Sequence, residues 1–159
     1  MATLSDFDED ERTLLMDAPG TVLEAAVVAD GQPSPMEFLK ELSAGARVFR
    51  EAQRDDHRFV REIANGIRER GSGEEAGARG LPDSQEAMSA ALGQAERALA
   101  LLRAKDAGDA EAYGAWLVRI ATRVSEAAKS KTGGFFSRRV AVTPAERAFI
   151  ERLTEAVEG

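Results

Sequence analysis

The chain has no cysteine and a single histidine, His57. The first absence removes disulfides, thiol nucleophiles and thiolate metal sites together, and it suits a reducing compartment. The second leaves no pair of imidazoles for zinc, and no serine stands near His57 in a nucleophile motif. Beside Asp55 and Asp56, His57 is expected to be a solvated or capping residue. Aromatic residues make up only 6% of the chain. Val, Ile and Thr are scattered instead of gathered into alternating runs, which leaves little material for a sheet. The one alternating stretch, Val140 and Val142, is too short to build one around. No run approaches the roughly 18 apolar residues of a membrane-spanning helix, and the acidic residues 1–11 lack the apolar stretch of a secretory signal. The expected location is the cytoplasm. Phosphate-binding signatures are missing too: Gly133-Gly134 runs straight into Phe135-Phe136, and no glycine-rich loop ends in Lys-Ser/Thr.

What is present is acid, alanine and helical periodicity. Acidic residues outnumber basic ones 28 to 21, for a net charge of −7. That excess repels a phosphate backbone, so DNA and RNA are poor partners. Hydrophobic residues at 43% and charged residues at 31% describe a globular chain. Its 159 residues suffice for one core. Alanine, the best helix former, is abundant. These features predict an all-α fold, a compact single-domain bundle of about seven helices over residues 1–159.

Two capping boxes mark helix starts. Ser34-Pro35-Met36-Glu37 and Thr143-Pro144-Ala145-Glu146 each place a hydroxyl at the N-cap, Pro at the first helical position and Glu three residues on. After the first, Phe38, Leu39, Leu42, Ala46 and Phe49 recur at helical spacing and predict one apolar stripe. After the second, Ala148, Phe149, Leu153 and Val157 do the same. Asp55 and Asp56 open a helix with Phe59, Ile63 and Ile67. Asp83 and Ser84 open another with Met88, Leu92, Ala95, Leu99 and Leu102. The longest begins near Asp109 and carries Tyr113, Trp116, Leu117, Ile120, Val124 and Ala128. Tyr113 and Trp116 are expected in the core, with a hydrogen-bond acceptor required for the Tyr113 hydroxyl. At the N-terminus a short helix is expected over residues 8–17. Pro19 then suits the start of a second over residues 21–29, a segment apolar enough to be buried on nearly all sides. Residues 70–82, with four glycines and almost nothing apolar, read as a mobile internal linker.

Three constellations bear on function. Asp6, Asp8 and Asp10 have the spacing that opens a calcium loop, but Glu11 stands where the sharp turn needs Gly, and an acidic helix start accounts for them better. The turn from Ala29 to Glu37 sets Asp30 and Glu37 on either side of a tight interhelical connection. Ala29-Asp30-Gly31 followed by Ser34 and Glu37, with Thr143 and Glu146 as a fainter echo, resembles the turn of TerB-like (tellurite-resistance-associated) helical domains. The matching residues cover about a fifth of the chain. The resemblance implies a compact bundle of about seven helices and carries a metal-binding role onto Asp30 and Glu37. Hard oxygen ligands there would take calcium or magnesium. Val140-Ala141-Val142 stands where a second acidic turn would want an acid, which departs from the pattern. Finishing a turn and completing a capping box are the structural roles that account for Asp30 and Glu37 without a metal.

The third constellation is the basic stretch at residues 129–139. Lys129, Lys131, Arg138 and Arg139 surround Phe135 and Phe136 with no acid among them, a pattern that fits an anionic partner. A connector whose bases favour the preceding helix C-terminus, with one Phe plugging the bundle end, is the plainer reading. The expected function is that of a non-enzymatic TerB-like module, stress-associated, acting on a protein partner through its surface and using no cofactor. The alternatives are a small metal-dependent enzyme working through Asp30 and Glu37, and a helical subunit that oligomerises through an exposed stripe.

Overall fold

A computed structural model of the chain describes residues 1–71, 81–127 and 143–159. Most of the expected linker, and the whole basic stretch with Lys129, Lys131, Phe135, Phe136, Arg138 and Arg139, lie outside these residues. Among the described residues a 3-10 turn, Leu4–Asp6, precedes six α-helices and there is no strand. The helices are α1 (Glu9–Val28), α2 (Pro35–Ala52), α3 (Arg58–Arg70), α4 (Ser84–Lys105), α5 (Ala107–Ala127) and α6 (Pro144–Glu158). They form the expected compact all-α bundle. α1 lies against α4 and α5, α2 packs mainly on α5, α6 sits on α5 and α4, and α3 fills the space beside α1, α2 and α5.

Four helix starts are capped by a side chain. Asp8, Ser34, Asp83 and Thr143 stand at N-caps and accept from backbone N–H groups of the first turn. Both sequence-predicted capping boxes are closed. The Glu37 N–H donates to the Ser34 hydroxyl oxygen at 3.3 Å and the Ser34 N–H to the Glu37 carboxylate at 3.2 Å. The Thr143–Glu146 box repeats this at 3.3 and 3.0 Å. Ser34→Ala and Thr143→Ala should each lower stability by about 0.5–2 kcal/mol, read as a lower urea midpoint. Unchanged midpoints in both would mean that these caps hold nothing.

The N-terminal expectation of two helices is corrected. α1 runs unbroken from Glu9 to Val28 with Pro19 inside it. An interior proline has no N–H for the carbonyl four residues back, here Leu15, and normally kinks or ends a helix. The gap is filled from another helix: the Tyr113 hydroxyl donates to the Leu15 carbonyl oxygen at 2.8 Å. Leu15, Pro19 and Tyr113 are all buried, so no water is needed to satisfy that oxygen. Beyond Pro19, the apolar run is buried as expected, with Val22, Ala25, Ala26, Val27 and Val28 in the core.

α5 is the central element. Tyr113, Trp116, Leu117, Ile120 and Val124 are all fully buried on it, as their periodicity predicts. Trp116 meets Phe49 edge-on at 5.5 Å between centroids and Tyr113 at 6.1 Å. α2 departs from expectation. Its buried residues are Glu41, Gly45, Val48 and Ala52. Phe38 and Phe49 pack only partly against the core, while Leu39, Leu42 and Ala46 face outward. Gly45 stands at the centre of the inward face. A Cβ there would collide with the Leu23 side chain and lie 3.6 Å from Val124 Cγ2, so glycine lets the α2 backbone come down directly onto α1 and α5. With Gly45 on the inward face, part of the apolar stripe of α2 lies outside.

Candidate functional site

Gly31 closes the α1–α2 connection. Its φ of 103° lies in the left-handed region that favours glycine. Its N–H donates to the Val28 carbonyl at 2.9 Å, ending α1. Asp30 and Glu37 flank this turn as predicted and both are exposed. The Glu37 carboxylate is engaged in its own capping box. One turn further into α2 stands a residue that periodicity alone did not mark. Glu41 is only 4% exposed, and its Oε2 is buried without a hydrogen-bond partner among the described residues. Loss of solvent pushes the Glu41 carboxyl up to about 7, with further contributions from the negative charges of Glu146, Glu37 and Asp30. Glu146 is itself buried, in the first turn of α6. The acidic turn, the start of α2 and the start of α6 therefore place four carboxyl groups within electrostatic reach at one end of the bundle. Among the described residues, however, no group of three His, Cys, Asp or Glu side chains is arranged to hold a metal ion.

The outward face of α2 is the second feature. Met36 is 63% exposed and Leu39 61%. With Lys40, Ser43, Ala44 and Arg47 these residues line an open groove of about 390 Å³, whose far wall is Ala127 at the end of α5. The spacing of 36, 39, 40, 43, 44 and 47 is that of one helical face, opposite the buried 41, 45, 48 and 52. Among the described lining residues both charges are positive, Lys40 and Arg47, although the chain carries −7 overall.

His57 is half-exposed, and the capping expectation holds for its position but not for its ring. It occupies the N-cap position of α3 without a cap bond from its ring. The ring Nε2 instead lies 3.5 Å from Oδ1 of the buried Asp109, whose other oxygen accepts the Ala2 N–H at 2.6 Å. α5 begins near Asp109, as expected, but Asp109 is not its cap. That role falls to Asp106, whose side chain accepts the Asp109 N–H at 3.0 Å. No described helix is long and apolar enough to cross a membrane.

Comparison with known proteins adds no further constraint: no family model matches the chain, and neither a curated protein nor a solved structure matches it.

Proposed function

We propose that this protein is a non-enzymatic helical module of the TerB-like type, serving a stress-associated or other protein assembly by binding a protein partner through its surface. The observation that carries this reading is the outward face of α2, where Met36 and Leu39 stand largely in solvent beside a groove. Large apolar side chains exposed together on one face, rimmed by polar ones, are characteristic of a binding surface. A photo-crosslinking amino acid in place of Leu39 tests it in cells, with the same group at exposed Arg152 as the control. The expected result is a discrete adduct from position 39 whose peptides map to one recurrent partner, absent from position 152. Adducts at the two positions that cannot be distinguished would sink the reading. Leu39→Glu should remove the adduct's counterpart in co-purification while leaving the thermal midpoint nearly unchanged, since the side chain buries little in the free protein.

A second reading, weak binding of calcium or magnesium by Asp30 and Glu37, draws support from the negative potential that these two residues and Glu146 impose on Glu41. Calorimetry with millimolar calcium should then give a heat that disappears in Asp30→Asn. No heat would leave Asp30 and Glu37 with their structural roles alone.

A further inference from the structure

The α2 groove also carries information about the chemistry of what it binds. We infer that its occupant is an amphipathic helix of another protein, with an apolar ridge flanked by acidic side chains. This inference rests on the interaction reading above and goes on to specify the partner's chemistry.

Three observations point the same way. The exposed stripe runs from Met36 to Arg47, about three helical turns or roughly 17 Å, the length over which a short helix presents residues i, i+3 or i+4, and i+7. The surface is open, formed by one face of α2 with Ala127 at its edge, so a side-chain ridge can lie along it without entering an enclosed cavity. Among the described lining residues the charges are Lys40 and Arg47, both positive and seven residues apart, so they sit on one face about 10 Å from each other.

Charge then decides between occupants. The overall charge of −7 attracts basic molecules at a distance, but a basic ridge seated here would meet Lys40 and Arg47 at contact. A second copy of the chain, paired isologously, would set this stripe against itself, with cations facing cations. An acidic-flanked helix satisfies both cations, while its apolar ridge covers Met36, Leu39 and Ala44. The Lys40 and Arg47 stems also offer methylene surface to that ridge.

A display selection of random 16-residue peptides on the full-length protein, counter-selected on Leu39→Glu, tests this. The expected consensus has large apolar residues at i, i+3 or i+4, and i+7, with Asp or Glu beside them. Winning peptides should bind Leu39→Glu about tenfold more weakly or worse. In a parallel selection on Lys40→Glu/Arg47→Glu the flanking positions should change to Lys or Arg. A basic or extended consensus from the unmodified protein overturns the inference but leaves the interaction reading standing. Winners unaffected by either variant overturn it as well, since they bind elsewhere. Sedimentation of the protein alone supplies the other decisive arm: a dimer that dissociates in Leu39→Glu would make a second copy the occupant.

Discussion

Glu41→Gln should make the protein more stable than its parent at pH 8 by on the order of 3 kcal/mol, and this advantage should vanish near pH 4. An ordinary glutamic acid ionises near 4.5, whereas the Glu41 carboxyl in the folded chain is pushed up to about 7 by burial and by the charges of Glu146, Glu37 and Asp30. Below about 4.5 the group is protonated in both folded and unfolded chains, so pH does not discriminate between them. Between 4.5 and 7 the unfolded chain gives up the proton freely and the folded chain does not, so stability falls as pH rises. Above about 7 both states are ionised and the penalty is complete, at about 1.4 kcal/mol for each pH unit of that gap. Gln keeps the shape and removes the charge. Urea denaturation at a series of pH values measures the difference between parent and variant, in which all other titrating groups cancel. Parallel curves would mean that Glu41 ionises like an exposed carboxylate. Glu146→Gln adds a control, because Gln can still complete the α6 capping box. It should move the pH at which the parent loses stability downward, by withdrawing one of the charges that face Glu41.

The second large effect is expected at the contact between α1 and α5. Tyr113→Phe removes the hydroxyl that donates to the buried Leu15 carbonyl oxygen, at a cost of about 1–3 kcal/mol. Burial also raises the pKa of the Tyr113 hydroxyl, with Asp17 adding to the effect, so the group is a neutral donor throughout the usual pH range. The cause of this dependence is Pro19, and that makes the idea sharply testable. In a Pro19→Ala background the new N–H at position 19 can bond Leu15 in the ordinary helical manner. The penalty for Tyr113→Phe should then shrink by about 1 kcal/mol, a coupling that a double-mutant cycle isolates from the separate effects of Pro19→Ala on the unfolded chain. Equal penalties in the two backgrounds would show that the hydroxyl stabilises something other than the gap made by Pro19.

The bond from Tyr113 to the Leu15 carbonyl also shows where local reading stops. From the sequence, Pro19 is a helix start, because a proline at the first position costs nothing and one inside a helix costs several kcal/mol. The residue that offsets that cost is 94 positions away by number and reaches it only after α5 has packed against α1. His57 tells the same story. Its neighbours Asp55 and Asp56 suggest a solvated or capping role, yet its ring lies beside Asp109 on a different helix. Asp30 and Glu37, by contrast, stand where the sequence predicts, because the Gly31 turn and the Ser34 box are made of contacts no more than a few residues long.

By itself, then, the sequence determined that this chain is all helix, where α2, α4 and α6 begin, and that Tyr113 to Val124 along α5 form the centre of the core. Capping chemistry and a period of 3.6 residues act over one or two turns, so they are present in any window of the chain. Only the tertiary structure decided which way α2 turns. Its periodicity predicts an apolar stripe through Leu39 and Leu42, whereas the face turned inward is the one that carries Gly45, where the backbone lies close to the Leu23 and Val124 side chains. That single rotation buries Glu41 beside the acids of two other elements and leaves Met36 and Leu39 in solvent. Both features of the candidate site therefore come from how helices distant in sequence fit together, a steric fact that no local pattern of residues encodes.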